Sequence, residues 1–417
     1  MAVDYDVTTS SDVNKLWKKV QTKLQQGRSF YCPETDWVDE MEPLAVDFSL
    51  REVTAPVDLN FGYGVGAISE GGSEVIPSSV NAEEITIPIT ELEKRFTIST
   101  RSAMLQSNPG AVIQKQMVFQ GRKAMEALGI DLADRFYGFR LGYLAQTSTN
   151  ATQSSGAYTL SSLYGVSNIG SGAQMAQKFK VGDRVSLIRS GAIVANSGSG
   201  EITAVTPGTP SITVTWGGSV DSDANDYIVK HQAVNDTTIT GSDYNQSIVG
   251  LFDACTSTSV HGLSSSSAPE WTPAYSSTSS GRFSGAKWVA AKQAIVNNGG
   301  QNPRIITVMG QDIYRDMIAL HQASLRYSDP TTMEIIGDIK VEGDRVKSSE
   351  RSPEKAVILY DRSAYRRVKL PSDHVTALGQ AIRMQDTAGY VCPLIDLRSH
   401  VVVARRKFAY FTNLTTG

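Results

Sequence analysis

Apolar positions alternate most regularly around residue 87, where Ile85, Ile87 and Ile89 interleave with Glu84, Thr86 and Thr90, the period of two that marks a strand with one apolar face. Pro88 interrupts the run and cannot donate to a ladder, which predicts a strand at a sheet edge. Leu92, Phe96 and Ile98 continue on the opposite parity, so a bend or bulge is expected near Glu91. Upstream lies the glycine-rich NFGYGVGAISEGGSEVIPSS, in which Pro77 stiffens the turn. Residues 49–100 thus read as a long β-hairpin arm. A two-stranded arm has too little core to stand alone in water, so it is expected to borrow the surface of an adjoining copy.

The period then changes to that of a helix. Asn108 is placed to cap and Pro109 suits the first helical position, after which Ile113, Met117, Ala124, Leu128, Leu132 and Phe136 recur at helical spacing. Gln114, Lys115, Arg122, Lys123, Glu126 and Asp134 occupy the other faces, and a helix to about Arg140 would be roughly 50 Å long. Gly121 and Gly129 break any sustained heptad and favour a helix packed on a sheet. Near the start, Ser11 or Asp12 can cap a shorter helix with Val13, Leu16, Trp17, Val20 and Leu24 on one face and four lysines elsewhere; Gly27 ends it.

Residues 146–177 are rich in Ser, Thr and Gly and read as loop. From 178 to 233 short strands follow, around Val185 and Leu187, Ile202–Val205, Ile212–Trp216 and YIVKH, which predict a small inserted all-β barrel. Few basic or aromatic residues decorate it, favouring a structural or decorating role over nucleic-acid binding. Beyond a Ser-rich loop come a helix capped by Ser284, the buried-type strand RIITVM, a helix from Gln311 to about Leu325, the strand AVILY and extended segments from Gln380 to Phe411. That alternation predicts a sheet with helices against it.

Composition narrows the function. The 417 residues carry 39 basic and 42 acidic side chains, a net charge of −3, too balanced for a protein that grips phosphates along a groove. Weak, non-specific contact with DNA remains compatible. Cys32, Cys255 and Cys392 are isolated, so no disulfide framework or CxxC site is indicated, and the chain shows no signal-peptide pattern or long apolar run; cytosolic synthesis is expected.

Catalytic signatures are missing. His231, His261, His321, His374 and His400 are scattered, with no HExxH, no GxSxG and no GxxxxGK[ST] motif. DSDAND at 221–226 departs from a calcium loop because Asp226 stands where glycine is needed and Gln232 where a glutamate should be. No catalytic residue, cofactor or metal is expected.

The segments ISEGGSEVIPSS and EEITIPITELEKRFTISTRSAML, then a helix ending IDLADRFYGF, then YDRSAYRRVKL, IRMQDTAGYVC and RRKFAYFTN, resemble in order the major capsid proteins of tailed bacteriophages with the Hong Kong 97-type fold. The resemblance covers most of the chain outside 178–233. It implies an α+β capsid subunit: an N-terminal arm (1–48), a β-hairpin extension loop (49–100), a peripheral-domain spine helix (101–140), an axial α/β domain (141–372) carrying the barrel, and strands returning to the peripheral domain (373–417). Inter-subunit contact would fall on Ile68, Glu70, Gly71, Gly72, Pro77, Ile85, Ile87 and Ile89 of the loop, and spine packing on Ile113, Met117, Leu128, Leu132 and Phe136.

The implied partners are many copies of itself in hexamers and pentamers, a portal, a separate scaffolding protein, a decoration protein and packaged double-stranded DNA, with no membrane. The location would be the virion, assembled in host cytoplasm. Residues 62–81 contain no Lys, which argues against loop-lysine isopeptide welding, and the 48 residues before the loop are too short for a fused scaffold. An encapsulin-like cellular shell and a β-rich fibre protein are the alternatives, the fibre being disfavoured by the long helix and the lack of repeats.

Overall fold

Three continuous apolar segments, Ile305–Gly310, Val357–Asp361 and Phe408–Phe411, have side chains fit to be covered on both faces, and they form the middle of a six-stranded sheet. The computed structural model describes all residues except 1–32, 45–46, 49–51, 60–81, 100–108, 232–237, 267, 279–280, 300–302, 326–339, 342–343, 369–375, 379–381, 384–388 and 417. The chain divides into two compact units, one of residues 1–45, 88–133 and 367–399, the other of 46–87, 134–366 and 400–417.

In the second unit the sheet order is Tyr275–Ser277, Phe408–Phe411, Val357–Asp361, Ile305–Gly310, Asp344–Ser349, Lys340–Val341. Ile305–Gly310 runs antiparallel to Val357–Asp361 and parallel to Asp344–Ser349. Helix Gly285–Asn297 places Trp288, Ala291 and Ile295 in the same core as Met309, Leu359 and Phe411, and helix Gln311–Leu325 adds Ile313 and Met317. Ser284 caps the first helix by accepting from Lys287 N. The Trp288 indole N–H donates to Thr307 Oγ1 at 2.9 Å, satisfying the polar edge of a fully buried ring.

The expected return of all of 373–417 to one domain is corrected. Residues 367–399 belong to the first unit, but 400–417 belong to the second, because FAYF pairs with Val357–Tyr360 on one side and Tyr275–Ser277 on the other.

The barrel is present, and its boundary also moves. Strand Ala145–Thr147 and the thirteen-residue strand Ala151–Leu163 join the expected strands Arg184–Arg189, Gly200–Thr206, Ser211–Ser222 and Tyr227–Lys230. Pairing runs from Gly200–Thr206 through Ser211–Ser222, Ala151–Leu163, Ala145–Thr147, Tyr227–Lys230 and Arg184–Arg189, then closes at Gly200↔Val185. Closure removes the exposed edges that an open sheet would leave. The barrel therefore starts at Ala145, not 178. The first half of Ala151–Leu163 buries no side chain fully, which is why its Ser and Thr read as loop; Tyr158 and Leu160 then enter the interior. There the Trp216 indole donates to Tyr158 Oη at 2.7 Å. Gly200 lies so close to the Trp216 ring that a Cβ would sit 2.0 Å from it.

In the first unit, Thr90–Ser99 pairs antiparallel with Gly389–Arg398 along ten residues, from Thr90↔Arg398 to Ser99↔Gly389. Leu92, Phe96 and Ile98 are buried, as are Tyr390, Cys392 and Leu394 of the partner strand. The long helix spans Pro109–Tyr137, about 43 Å, three residues short of expectation. Its buried stripe is Ile113, Met117, Gly121, Ala124, Met125, Leu128, Gly129, Leu132 and Ala133, and both glycines lie on it.

Asp134, expected on a polar face, is instead 1% exposed. Lys178 Nζ donates to its Oδ1 at 2.7 Å and Arg351 Nη1 does so at 3.4 Å. Close by, Tyr137 Oη and Ser352 Oγ are 2.8 Å apart, and Gln174 Nε2 donates to the Ser352 carbonyl at 2.8 Å. Lys178→Met leaves a buried carboxylate with one long-range cation. It is expected to cost about 3 kcal/mol, while the double replacement Asp134→Leu, Lys178→Met recovers most of that; denaturant midpoints of the full chain measure both.

Candidate assembly surface

The loop expected to make the inter-subunit contact is the first to place. Ile68, Glu70, Gly71, Gly72 and Pro77 lie outside the described residues. The flanks of the loop are described: Glu52–Asp58 and Ala82–Pro88 belong to one three-stranded sheet with Asp47–Phe48, and Ala82–Pro88 lies at its edge, as Pro88 requires. Ala55, Val57, Leu59, Ile85 and Ile87 are each at most 4% exposed within the single chain, and Ile89 is half-buried. The Leu59 carbonyl accepts from Arg406 Nη1 at 3.3 Å.

Those flanks correct the expectation that the whole arm depends on a neighbour. Ile85 and Ile87 are already covered by their own chain, so they are not free to contact another copy. The change of parity expected near Glu91 occurs at Ile89, where one strand ends before Thr90 starts the next.

Ile113, Met117, Leu128, Leu132 and Phe136 are all buried, with Phe136 edge-on to Tyr137 at 5.2 Å between ring centres. The opposite face of the helix carries what sequence reasoning missed. Phe119 is 62% exposed, and with Gln114, Lys115, Val118 and Arg122 it lines an open cavity of about 370 Å³. An aromatic two residues after the fully buried Met117 falls off the apolar stripe, and that phase error was the available signal. Lys115 and Arg122 are exposed; Lys123 pairs with Glu126 at 2.8 Å across one turn, a contact worth little in water.

Titratable groups in the interior are tied to structural partners. Arg405 donates Nε to the Ala254 carbonyl at 2.7 Å, Nη1 to that of Trp271 at 3.1 Å and Nη2 to those of Cys255 and Ser257, neutralising the C-terminal end of helix Leu251–Thr256. Burial raises the Asp253 carboxyl, against hydrogen bonds from Ser257 and the Arg140 amide. His231 bonds Ser186, His400 bonds Tyr365, and His261 Nε2 accepts from Val402 N at 3.0 Å. In DSDAND, Asp226 binds Arg189 through both oxygens at 2.8 Å, the arrangement of a turn locked by an ion pair. Among the described residues no group of three His, Cys, Asp or Glu side chains could hold a metal ion, and no helix is long and apolar enough to cross a membrane.

With the barrel, the six-stranded sheet and the long helix in place, the likeness to solved structures is specific. A chain of the capsid asymmetric unit of Cyanophage A-1(L) matches with a TM-score of 0.51, covering 92% of this chain and 93% of that one at 11% identity. This is the fold of a phage capsid protein. The capsid of a native GTA particle (TM-score 0.43, 10% identity, 91% of this chain and 90% of that one) and Gordonia phage Cozz (0.43, 9%, 90% and 85%) are more distant, and the fold assignment rests on the first. No protein-family model and no curated protein matches the sequence.

Burial lowers the His261 pKa to about 3, reinforced by the charge of Arg140. The unfolded chain, with a histidine near 6.5, binds this proton more readily than the folded chain, so stability rises with pH between about 3 and 6.5. The contribution lost on acidification is on the order of 5 kcal/mol. His261→Gln keeps an acceptor for Val402 N and is expected to flatten the slope of unfolding free energy against pH across that window.

Proposed function

We propose that this chain is the major capsid protein of a tailed double-stranded DNA bacteriophage, built on the Hong Kong 97-type plan and assembling into an icosahedral head shell. The observation that carries the reading is the capsid fold matched over more than nine-tenths of both chains. In this reading the first unit supplies the peripheral domain with the long helix as its spine, the second supplies the axial domain, and residues 145–230 form a barrel inserted into it. The role is structural and not enzymatic: interface geometry repeated around closed symmetry, with buried area at each contact, makes the shell. Hexamers and pentamers of this chain, a portal, a separate scaffolding protein and a decoration protein are the partners, and contact with packaged DNA is weak, as the balanced charge allows.

Electron microscopy of the purified native assembly tests the reading. Closed icosahedral particles are expected, with DNA inside those recovered from infected cells, and discrete small oligomers would refute it. Because residues 60–81 contain no lysine, the shell is expected to dissociate to single chains on a denaturing gel, where a covalent ladder would contradict the non-covalent assignment. Efficient closed shells from this chain expressed alone would count against a separate scaffold.

A further inference from the structure

The inserted barrel joins the rest of its unit through one covalent crossing and is held again by a segment of its own. The chain enters it through Gly142, at a φ of +73°, and leaves it through Asp243. A Cβ on Gly142 would lie 2.6 Å from the Asp243 carbonyl oxygen, so the two connections pass in contact. Asp243 N donates to the Lys230 carbonyl at 2.9 Å, Leu144 N to that of Ile228 at 2.9 Å, and Arg135 Nη2 to Asp243 Oδ2 at 2.6 Å. Entry and exit at one crossing give the barrel a single pivot.

The segment 168–178 belongs to the barrel, between its strands Ala151–Leu163 and Arg184–Arg189; a Cβ on Gly172 would lie 2.7 Å from Pro210 Cγ. It is also bonded outward. The Asn168 carbonyl accepts from Asn413 N at 2.8 Å and the Ile169 carbonyl from Lys355 N at 2.9 Å. The Gln174 amide, 2% exposed, spends both ends on one turn: Nε2 donates to the Ser352 carbonyl at 2.8 Å and Oε1 accepts from Glu354 N at 3.1 Å. Lys178 Nζ adds the Arg351 carbonyl, at 3.3 Å, to its bond with Asp134. Water can replace polar bonds of this kind, as it cannot replace the apolar packing of Leu160, Ile212 and Val214 inside the barrel. Asp134 Oδ2 is buried and finds no donor among the described residues, a polar cost of the closed state that opening to water removes.

We propose that residues 168–178 form a latch that docks the barrel on the 351–355 turn at a fixed angle, and that release lets the barrel turn as one body about the Gly142–Asp243 crossing. The device needs no neighbouring copy and stands independently of the shell reading above.

Hydrogen exchange on the full-length chain is the first test. The amides of Glu354, Lys355 and Asn413 are expected to exchange together, about tenfold or more faster than those of Ile212 and Val214, because the latch opens without unfolding the barrel. Gln174→Glu with Lys178→Glu, which sets carboxylates against the Ser352 carbonyl and Asp134, is expected to speed Glu354 and Lys355 about tenfold further and to leave Ile212 and Val214 protected. The second test reads the angle. Nitroxides at Thr203→Cys on the barrel and Gln293→Cys on helix Gly285–Asn297, both exposed, are placed in a Cys32→Ser background diluted with unlabelled copies. One narrow distance is expected with the native latch and a broad distribution with the two glutamates. Glu354, Lys355 and Ile212 exchanging at one rate, a broad distribution with the native latch, or a narrow one in a charge variant whose Lys355 amide has lost protection overturns the proposal. Should the charge variant not fold, the order of exchange in the unsubstituted chain decides.

Discussion

A carboxylate sealed from water constrains much of the second unit. Asp134, in the last turn of the long helix, is 1% exposed, where an unpaired charge would cost several kcal/mol, so the fold must bring cations to it. Lys178 comes from just beyond helix Gly172–Gln177, inside the barrel sequence, and Arg351 from the turn that links the sheet strands Asp344–Ser349 and Val357–Asp361. Meeting at one oxygen fixes the spacing of three elements far apart in sequence. The surrounding bonds among Tyr137, Gln174 and Ser352 supply direction where the ion pair supplies attraction. Gly250 belongs to the same economy of space: a Cβ there would lie 2.2 Å from the Gly138 carbonyl oxygen, so the chain after the helix passes where only glycine fits.

Periodicity made the elements of this fold legible, and its failures have physical causes. The long helix was readable because its stripe from Ile113 to Ala133 is apolar at every buried step, and the sheet strands Ile305–Gly310 and Val357–Asp361 because double-sided burial leaves continuous apolar runs. Ala151–Leu163 was not readable, since a strand with Thr152, Ser155 and Thr159 exposed and no deeply buried side chain before Tyr158 has the composition of a loop. Its hydrogen bonds to Ser211–Ser222, not its side chains, make it a strand. The membership of Phe408–Phe411 was likewise invisible: FAYF predicts a buried strand but carries no mark of which sheet receives it, and contacts between distant segments are what local pattern cannot encode.

The candidate surface was half legible for a related reason. Burial of Ile85 and Ile87 follows from alternation, but alternation cannot say whether the cover comes from the same chain or another. Here Arg406, from near the end of the chain, bonds the Leu59 carbonyl, and the flanks of the arm are satisfied at home. Phe119 shows the converse. Its helical phase sets it against solvent, and an exposed aromatic amid cations is a feature that folding alone does not call for.

Interior chemistry and exterior function connect through this contrast. Arg405 is consumed by four backbone carbonyls, His261 by the Val402 amide, Asp226 by Arg189, and Cys255 sits with its thiol pushed upward by burial. Groups held this way stabilise one geometry and are withdrawn from reaction with anything outside. What the molecule leaves available is shape, a modest charge pattern and a few exposed apolar side chains. Contacts built from such materials are individually weak, and weakness is an advantage for a closed assembly. In the shell proposed for this chain, a misplaced subunit must be able to leave, while the completed assembly would hold each copy through several such contacts at once, so that their sum and not any single bond would set its persistence.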